Sequence, residues 1–460
     1  MQNFEHMRKI LSIFVIFAAI FVSCDMGTTS TTETSSEARV AGFTFYEDTA
    51  NVGLTEATYK IEHSADTGLI YNQDSLRYGT CLDSVIPYVS YKATPGAAYF
   101  VLPDTTITST GADTMNLNQN PMYLHVVASD MESEMWYRIK LSVHQVDPEL
   151  YVWKELTQEI FSKQNCETKA FWMKGELLLL VNNGLGTQVY QSSNGSEWKQ
   201  LASKVAELPT PCSVRDIVLH SDTLYYISKN VLYYSNDALH WNSLDCSTAE
   251  YELVNMLLSY NGKAWAIVQD KATEGLALAT VDATGIELMR DVDGLEQGYL
   301  PANFPISDFA ALAFEGSSER ARAMVVGGRS MNGEVVNSRW NIEYVKNDKA
   351  KPYRLKDFSI TQPSFNSLTG ASIIYYDNQL LMFGGVDNDL DWRSDMLYSD
   401  DEGMHWYAPD TTKNKLPDNY KTRQYQSVVV DDAQHIYIIG GQTESESLSD
   451  VYRGKRNLID

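Results

Sequence analysis

The sequence predicts an all-β protein, a small β-sandwich followed by a ring of four-stranded sheets. Three observations carry that expectation. Short runs that alternate apolar and polar residues fill positions 39–145. Beyond residue 150, pairs of apolar strands recur at intervals of 38 to 62 residues. The 28 tyrosines and nine tryptophans supply side chains suited to pleated surfaces.

Taken in order, the chain opens with Arg8 and Lys9 ahead of the thirteen-residue apolar run "ILSIFVIFAAIFV". That run is shorter than the ~20 residues a membrane span requires, and it fits the apolar region of a signal peptide, residues 1–23. It ends in "FVSC", which resembles the lipobox of bacterial lipoproteins. The resemblance implies that Cys24 is acylated and becomes the mature terminus, holding the protein on a membrane through its lipid anchor. Residues 24–38, "CDMGTTSTTETSSEA", are too poor in apolar residues to pack and read as a tether. Asp25 and this acidic tether resemble the sorting pattern of Bacteroidetes surface lipoproteins. The implied location is the outer membrane, exposed at the cell surface.

Residues 39–146 follow as one domain. "WYRIKLSV" places Tyr137, Ile139, Leu141 and Val143 on one face and Trp136, Arg138, Lys140 and Ser142 on the other. Seven or eight such strands in ~110 residues fit an immunoglobulin-like β-sandwich. Cys81, alone in this region, is expected to be a small core residue.

Past Pro148 the sequence repeats. "YQSSNGSEW" (190–198), "YSNDALHW" (234–241) and "YSDDEGMHW" (398–406) share Tyr, Ser, Asn or Asp, then Trp. The last copy resembles the Asp-box of sialidase-like propellers. Hydroxyl and carboxylate can bind turn N–H groups, so the motif is expected to mark a hairpin and not an active site. A second repeat pairs first strands starting near Ala170, Asp216, Val254, Phe309, Ala371 and Ser427 with second strands such as "ELLLLV" and "HIYIIGG". Three second strands end in Gly-Gly, which resembles the kelch repeat. Together these predict a six-bladed β-propeller over 151–460; a seventh blade would have to lie in 271–308. "WKEL" (153–156) precedes any first strand, while the last blade lacks a fourth. Residues 151–157 are therefore expected to complete that blade and close the ring.

In a propeller, the loops joining second to third strands share one face with those entering first strands. That face holds Arg329, Trp392, Arg393 and Arg423, an aromatic plane and three cations suited to a sugar ring or a peptide. Asp387, Asp389 and Asp391 alternate like the start of an EF-hand loop. Trp392 stands where that loop needs glycine, so no metal is expected. Cys166, Cys212 and Cys246 all precede first strands, where two of them could pair as a disulfide or all could simply pack.

Charge narrows the function classes. The chain has 36 Lys+Arg against 60 Asp+Glu, a net charge of −24, which repels phosphate backbones and argues against a nucleic-acid partner. No phosphate-binding loop, Gly-x-Ser-x-Gly or His-Glu-x-x-His occurs, and no cofactor is expected. A sialidase-like glycoside hydrolase is an alternative, although the Arg-Ile-Pro stretch of that family is missing. A structural subunit of an envelope complex is another. The arrangement as a whole resembles kelch-type surface lipoproteins of gut Bacteroidetes. The expectation is a membrane-anchored, non-catalytic binding or scaffold protein that recognises a glycan or a protein partner.

Overall fold

The computed structural model describes residues 34–460 apart from positions 50, 52, 66, 163–164, 290–291, 293–294, 296–297, 316–319, 346–352, 358–367, 395, 409–415 and 458–460. The expected signal peptide and Cys24 lie outside the described residues. The chain forms two compact units that divide between Asp147 and Pro148.

The first unit is all-β. One sheet of six strands runs in the spatial order Tyr59–His63, Thr67–Asn72, Glu134–Lys140, Met122–Val127, Ala97–Val101, Thr106–Thr108. A second sheet pairs Val40–Phe45 with Pro87–Tyr91. Alternation works as expected: in Glu134–Lys140, Met135, Tyr137 and Ile139 are buried, while Trp136 is half-buried and Glu134, Arg138 and Lys140 are exposed. Phe43 and Phe45 of the small sheet share a core with Ile70, Phe100, Leu124 and Tyr137 of the large one. The buried Tyr137 hydroxyl accepts the Val40 N–H at 3.0 Å, tying the two sheets by a polar bond as well. The partition is more uneven than in an immunoglobulin sandwich. Thr67–Asn72 pairs in parallel with Glu134–Lys140, which draws the hairpin beginning at Tyr59 into the large sheet. Cys81 is exposed, not a core residue. It sits in a loop whose backbone is held by the Asn51 side chain, at 2.7 Å from the Cys81 N–H.

The second unit is a β-propeller. Six sheets of three to five strands follow one another among its described residues, with first strands at Glu167–Met173, Val218–His220, Tyr251–Tyr260, Ala310–Glu315, Ser372–Tyr376 and Ser427–Val430, and a small two-stranded sheet pairs Leu368–Thr369 with Val386–Asp387. The first five build outward in chain order. In the fifth, a Tyr398–Tyr407 bridge stands where a fourth strand would lie. The sixth takes Tyr151–Thr157 as its outermost strand, antiparallel to Val451–Arg456. Within 271–308 the described strands extend the third sheet, and Tyr299–Leu300 pairs with that sheet's strand Leu276–Asp282.

The continuous apolar second strands follow from this stacking. Leu178 and Leu180 face the second sheet, whereas Leu177, Leu179 and Val181 face the sixth. A strand buried on both faces has no polar side to show. Cores of this kind join sheets one and two, two and three, three and four, four and five, five and six, and six and one. The ring of contacts is therefore closed.

The Gly-Gly pairs end three second strands with nearly one geometry, φ +62° and +96° at 327–328, +61° and +99° at 384–385, +62° and +95° at 440–441. At Gly384 a side chain would strike the Arg423 carbonyl of the next sheet's lead-in, and Gly385 N–H bonds that carbonyl at 3.0 Å.

The three Ser…Trp turns also share one hydrogen-bond plan. Ser192, Ser235 and Ser399 hydroxyls accept the N–H of Gly195, Ala238 and Gly403 at 2.8–2.9 Å. Asn194, Asp237 and Asp401 each accept a further turn N–H at 2.8 Å. All three turns follow the third strand of their sheets, at the opposite end from the start of the first strand. At Asp237 burial works against the carboxylate. Hydrogen bonds from the His240 side chain and N–H, the Leu239 N–H and the Ser235 hydroxyl outweigh it and draw the pKa down to about 2. Since the unfolded value is ~3.9, this carboxylate stabilises the fold above about pH 4, and the contribution is lost as pH falls through about 2. Asp237→Asn is accordingly expected to be less stable than the parent near pH 6, by a margin that shrinks below about pH 4 and vanishes only below about pH 2. Urea unfolding of both proteins across that range checks the sign.

Candidate functional site

The six first strands enclose a central channel of about 1030 Å³. Phe171, Leu258, Leu312, Ile374 and Val428 are among its lining residues, although their side chains pack in the cores between sheets. The end where the first strands begin is different. There the starts of five first strands and the segments leading into them bring together Glu167 and Lys169, Arg215 and Asp216, Asp308, Gly370, and Tyr425.

These groups form interlocked pairs. The Arg215 guanidinium lies 3.7 Å over the Tyr425 ring, donates to Gln442 Oε1 at 3.0 Å and faces Glu167 at 3.8 Å. Asp308 accepts Arg329 Nε at 3.1 Å. Asp216 accepts Asn255 Nδ2 at 3.2 Å, and the same amide bonds the Ile306 carbonyl at 3.0 Å. The short helical turn Val214–Asp216 places Arg215 and Asp216 on adjoining faces, so one segment supplies a cation and an anion to the mouth.

Burial pushes the Glu167 carboxyl above its usual range; Arg215 pulls it back, and Asp216 adds to the rise. Asp216 is likewise raised, chiefly by burial and further by Asp308, against hydrogen bonds from Asn255 and Ser213 and the charge of Lys169. Burial lowers the Lys169 amine, with Asp216 opposing. Lys169 is half-buried, walled by protein yet open to the channel. The mouth thus presents the carboxyls of Glu167, Asp216 and Asp308 beside the cations Lys169, Arg215 and, through Asp308, Arg329. That suits a small ligand rich in hydroxyls or charged groups, and suits it better than an apolar one.

The residues expected from sequence divide. Arg329 belongs to the mouth through Asp308, with its side chain 42 % exposed. Trp392 and Arg393 are half-buried on the loop after Gly385, where Trp392 bridges Val386 and Arg393 N–H bonds the Gly385 carbonyl at 3.0 Å. Neither lines the channel. Arg423 must be withdrawn as a ligand contact: it is fully buried, and its guanidinium forks onto Asp450 at 2.5 and 2.9 Å. The Asp387 carboxylate binds the N–H groups of Asp389 and Asp391, closing its own turn. Cys166, Cys212 and Cys246 form no disulfide among the described residues, so the disulfide alternative gives way to packing. Burial pushes the Cys212 thiol up to about 12.

Fold and channel together define a two-unit β-propeller protein. Residues 147–459 match the DUF6242 beta propeller domain and residues 25–141 match the DUF6242 N-terminal domain, described as a domain of unknown function. The chain belongs to the DUF6242 family. No curated protein matches the sequence. Among solved structures, that of YjhT is similar at 13 % identity and a TM-score of 0.45, over 64 % of this chain and 95 % of YjhT.

Proposed function

We propose that this is a non-catalytic binding protein of the cell envelope, anchored by lipid on Cys24, whose propeller recognises a glycan or a protein partner at the channel mouth. One observation supports the site above others: four separate segments deliver Lys169, Arg215 with Asp216, Asp308 and Tyr425 to one end of a 1030 Å³ channel. Rigid strands then hold groups from the whole ring around one ligand. Net charge of −24 favours a neutral or singly charged ligand over a polyanion. The lipobox resemblance and the polar tether support the anchor.

A glycan array probed with the protein tests the reading, with a hydrolysis assay on every hit to catch the glycoside-hydrolase alternative. Arg329→Ala is expected to weaken a mouth ligand about tenfold, ~1.4 kcal/mol, with the melting temperature unchanged. Trp392→Ala and Arg393→Ala place the ligand on the outer rim if they weaken it instead. Cys24→Ala should abolish incorporation of labelled fatty acid, and retained label would defeat the anchor.

A second location has its own observation. On the six-stranded sheet of the first unit, His125 stacks on Trp136 at 4.0 Å and 10°, with Tyr123 and Tyr99 beside them at 6.3 and 6.2 Å. Such a row suits a sugar face. Loss of binding in Trp136→Ala, but not in Arg329→Ala, would move the site there.

A further inference from the structure

We infer that the channel mouth takes a small organic carboxylate whose charged group sits on the Lys169 ammonium, with Arg329 as its second contact. The inference rests on the reading of the mouth as the binding site and narrows it to a ligand class.

Arg215 is occupied by Tyr425, Gln442 and Glu167. Arg329 gives Nε to Asp308 and Nη1 to the Gly333 carbonyl at 3.2 Å, which leaves the outer edge of its guanidinium toward solvent. Asp216 and Asp308 are held by Asn255 and Arg329. Lys169 differs from all of these. Among the described residues its ammonium has neither a hydrogen bond nor an ion-pair partner, and Asp216 acts on it only at longer range.

An ammonium ringed by protein and lacking a partner is costly. Water in the channel relieves part of that cost. An anionic group docked on Lys169 would relieve more, because the attraction acts in a partly desolvated setting.

The rest of the molecule sets the size and charge of the ligand. A net charge of −24 repels polyanions at long range. A single negative charge docked on Lys169 responds mainly to groups within a Debye length, about 8 Å at physiological salt, and Arg329 is tied to that mouth through Asp308 at 3.1 Å. The 1030 Å³ volume accommodates a metabolite-sized molecule, with room beside the carboxylate for hydroxyls that Asp308 can bind.

The test uses the full chain and isothermal titration calorimetry against three matched pairs. They are glucuronate with glucose, lactate with lactamide, and acetyl-dialanine with its amide. These separate a sugar acid, a hydroxy acid and a peptide terminus as the source of the carboxylate. At least one acid is expected to bind ten times more tightly than its neutral partner. Lys169→Met should erase that preference, and Lys169→Arg should keep part of it. Lys169→Met should also melt no lower than the parent, since it removes a charge without a partner; a structural lysine would destabilise instead. The inference is overturned if no acid is preferred, or if folded Lys169→Met retains the preference. If a neutral array ligand is then lost in Arg329→Ala, the mouth remains the site and only the carboxylate falls. If Arg329→Ala changes nothing either, both readings fall.

Discussion

Arg423→Ala is expected to destabilise the propeller by ~3–5 kcal/mol, the cost of leaving one partner of a buried ion pair alone. The guanidinium is wholly out of solvent. It forks onto both Asp450 oxygens, donates to the Gly440 carbonyl at 3.0 Å and gives Nε to the Lys421 carbonyl at 2.9 Å. Tyr420 and Tyr452 flank it at 4.3 and 5.6 Å. Burial alone would lower its pKa, but Asp450 and the two tyrosines more than compensate, so the group stays charged. Alanine removes the fork, and Asp450 keeps a charge with no cation beside it. Arg423→Lys should rescue little, because a point charge cannot satisfy two oxygens and two carbonyls at once. Pairing Arg423→Met with Asp450→Leu should recover much of the loss, since the buried charge goes with its partner. Urea unfolding of the three variants decides the matter, and a loss below 1 kcal/mol in Arg423→Ala would contradict it.

That arginine shows where sequence reading fails in this protein. Its position in a lead-in loop looked like a surface position, and nothing local signals that Asp450, 27 residues on, folds back to cover it. Lead-in loops of a propeller are surface on one side and inter-sheet wall on the other. Only the ring decides which side a given residue takes. Arg329, on a comparable loop after a Gly-Gly pair, took the outer side and reached Asp308.

Architecture was far more legible, because strand periodicity and turn chemistry are local. "ELLLLV" reads as a strand buried on both faces without knowledge of its partners. The Ser…Trp turns announce their hydrogen bonds in their own residues. The mouth was legible only in retrospect. Lys169, Arg215, Asp216, Asp308 and Tyr425 all lie within a few residues of a first-strand start already marked by the repeat. Superposing those six starts gathers the polar residues into one ring. What such a superposition lacks is the sheet's twist, which decides whether a side chain points into the channel or between sheets. The uneven sheets of the first unit were hidden for a related reason: a parallel pairing between residues ~70 positions apart leaves no mark in either strand.

The second large effect concerns ring closure. A protein lacking residues 1–160 is expected to lose on the order of 5 kcal/mol relative to one lacking only 1–146, on the burial scale of 1.5–3 kcal/mol for each large side chain removed from its core. The strand Tyr151–Thr157 contributes buried Tyr151 to the core between sheets five and six, with Trp153 packed against it. Leu156 packs in the core between sheets six and one. Trp153 also covers Gly454, where a side chain would collide with the indole, so the two strands are matched at close range. Polar bonds extend the seam, with Asn457 N–H to the Leu150 carbonyl at 3.0 Å and Asn419 Nδ2 to Glu155 at 2.6 Å. Thr157 reaches the Ser196 carbonyl of the first sheet at 2.9 Å, so the same strand joins the last sheet to the first. Removing it exposes Val451–Arg456 as an open edge, a template for pairing with other chains. A loss of this size is comparable to the whole stability of many domains, ~5–15 kcal/mol, so the shorter protein should unfold or aggregate. Thermal unfolding and light scattering of both proteins make the comparison. Equal melting temperatures would mean that the ring holds through its inter-sheet cores alone and the closing strand is dispensable.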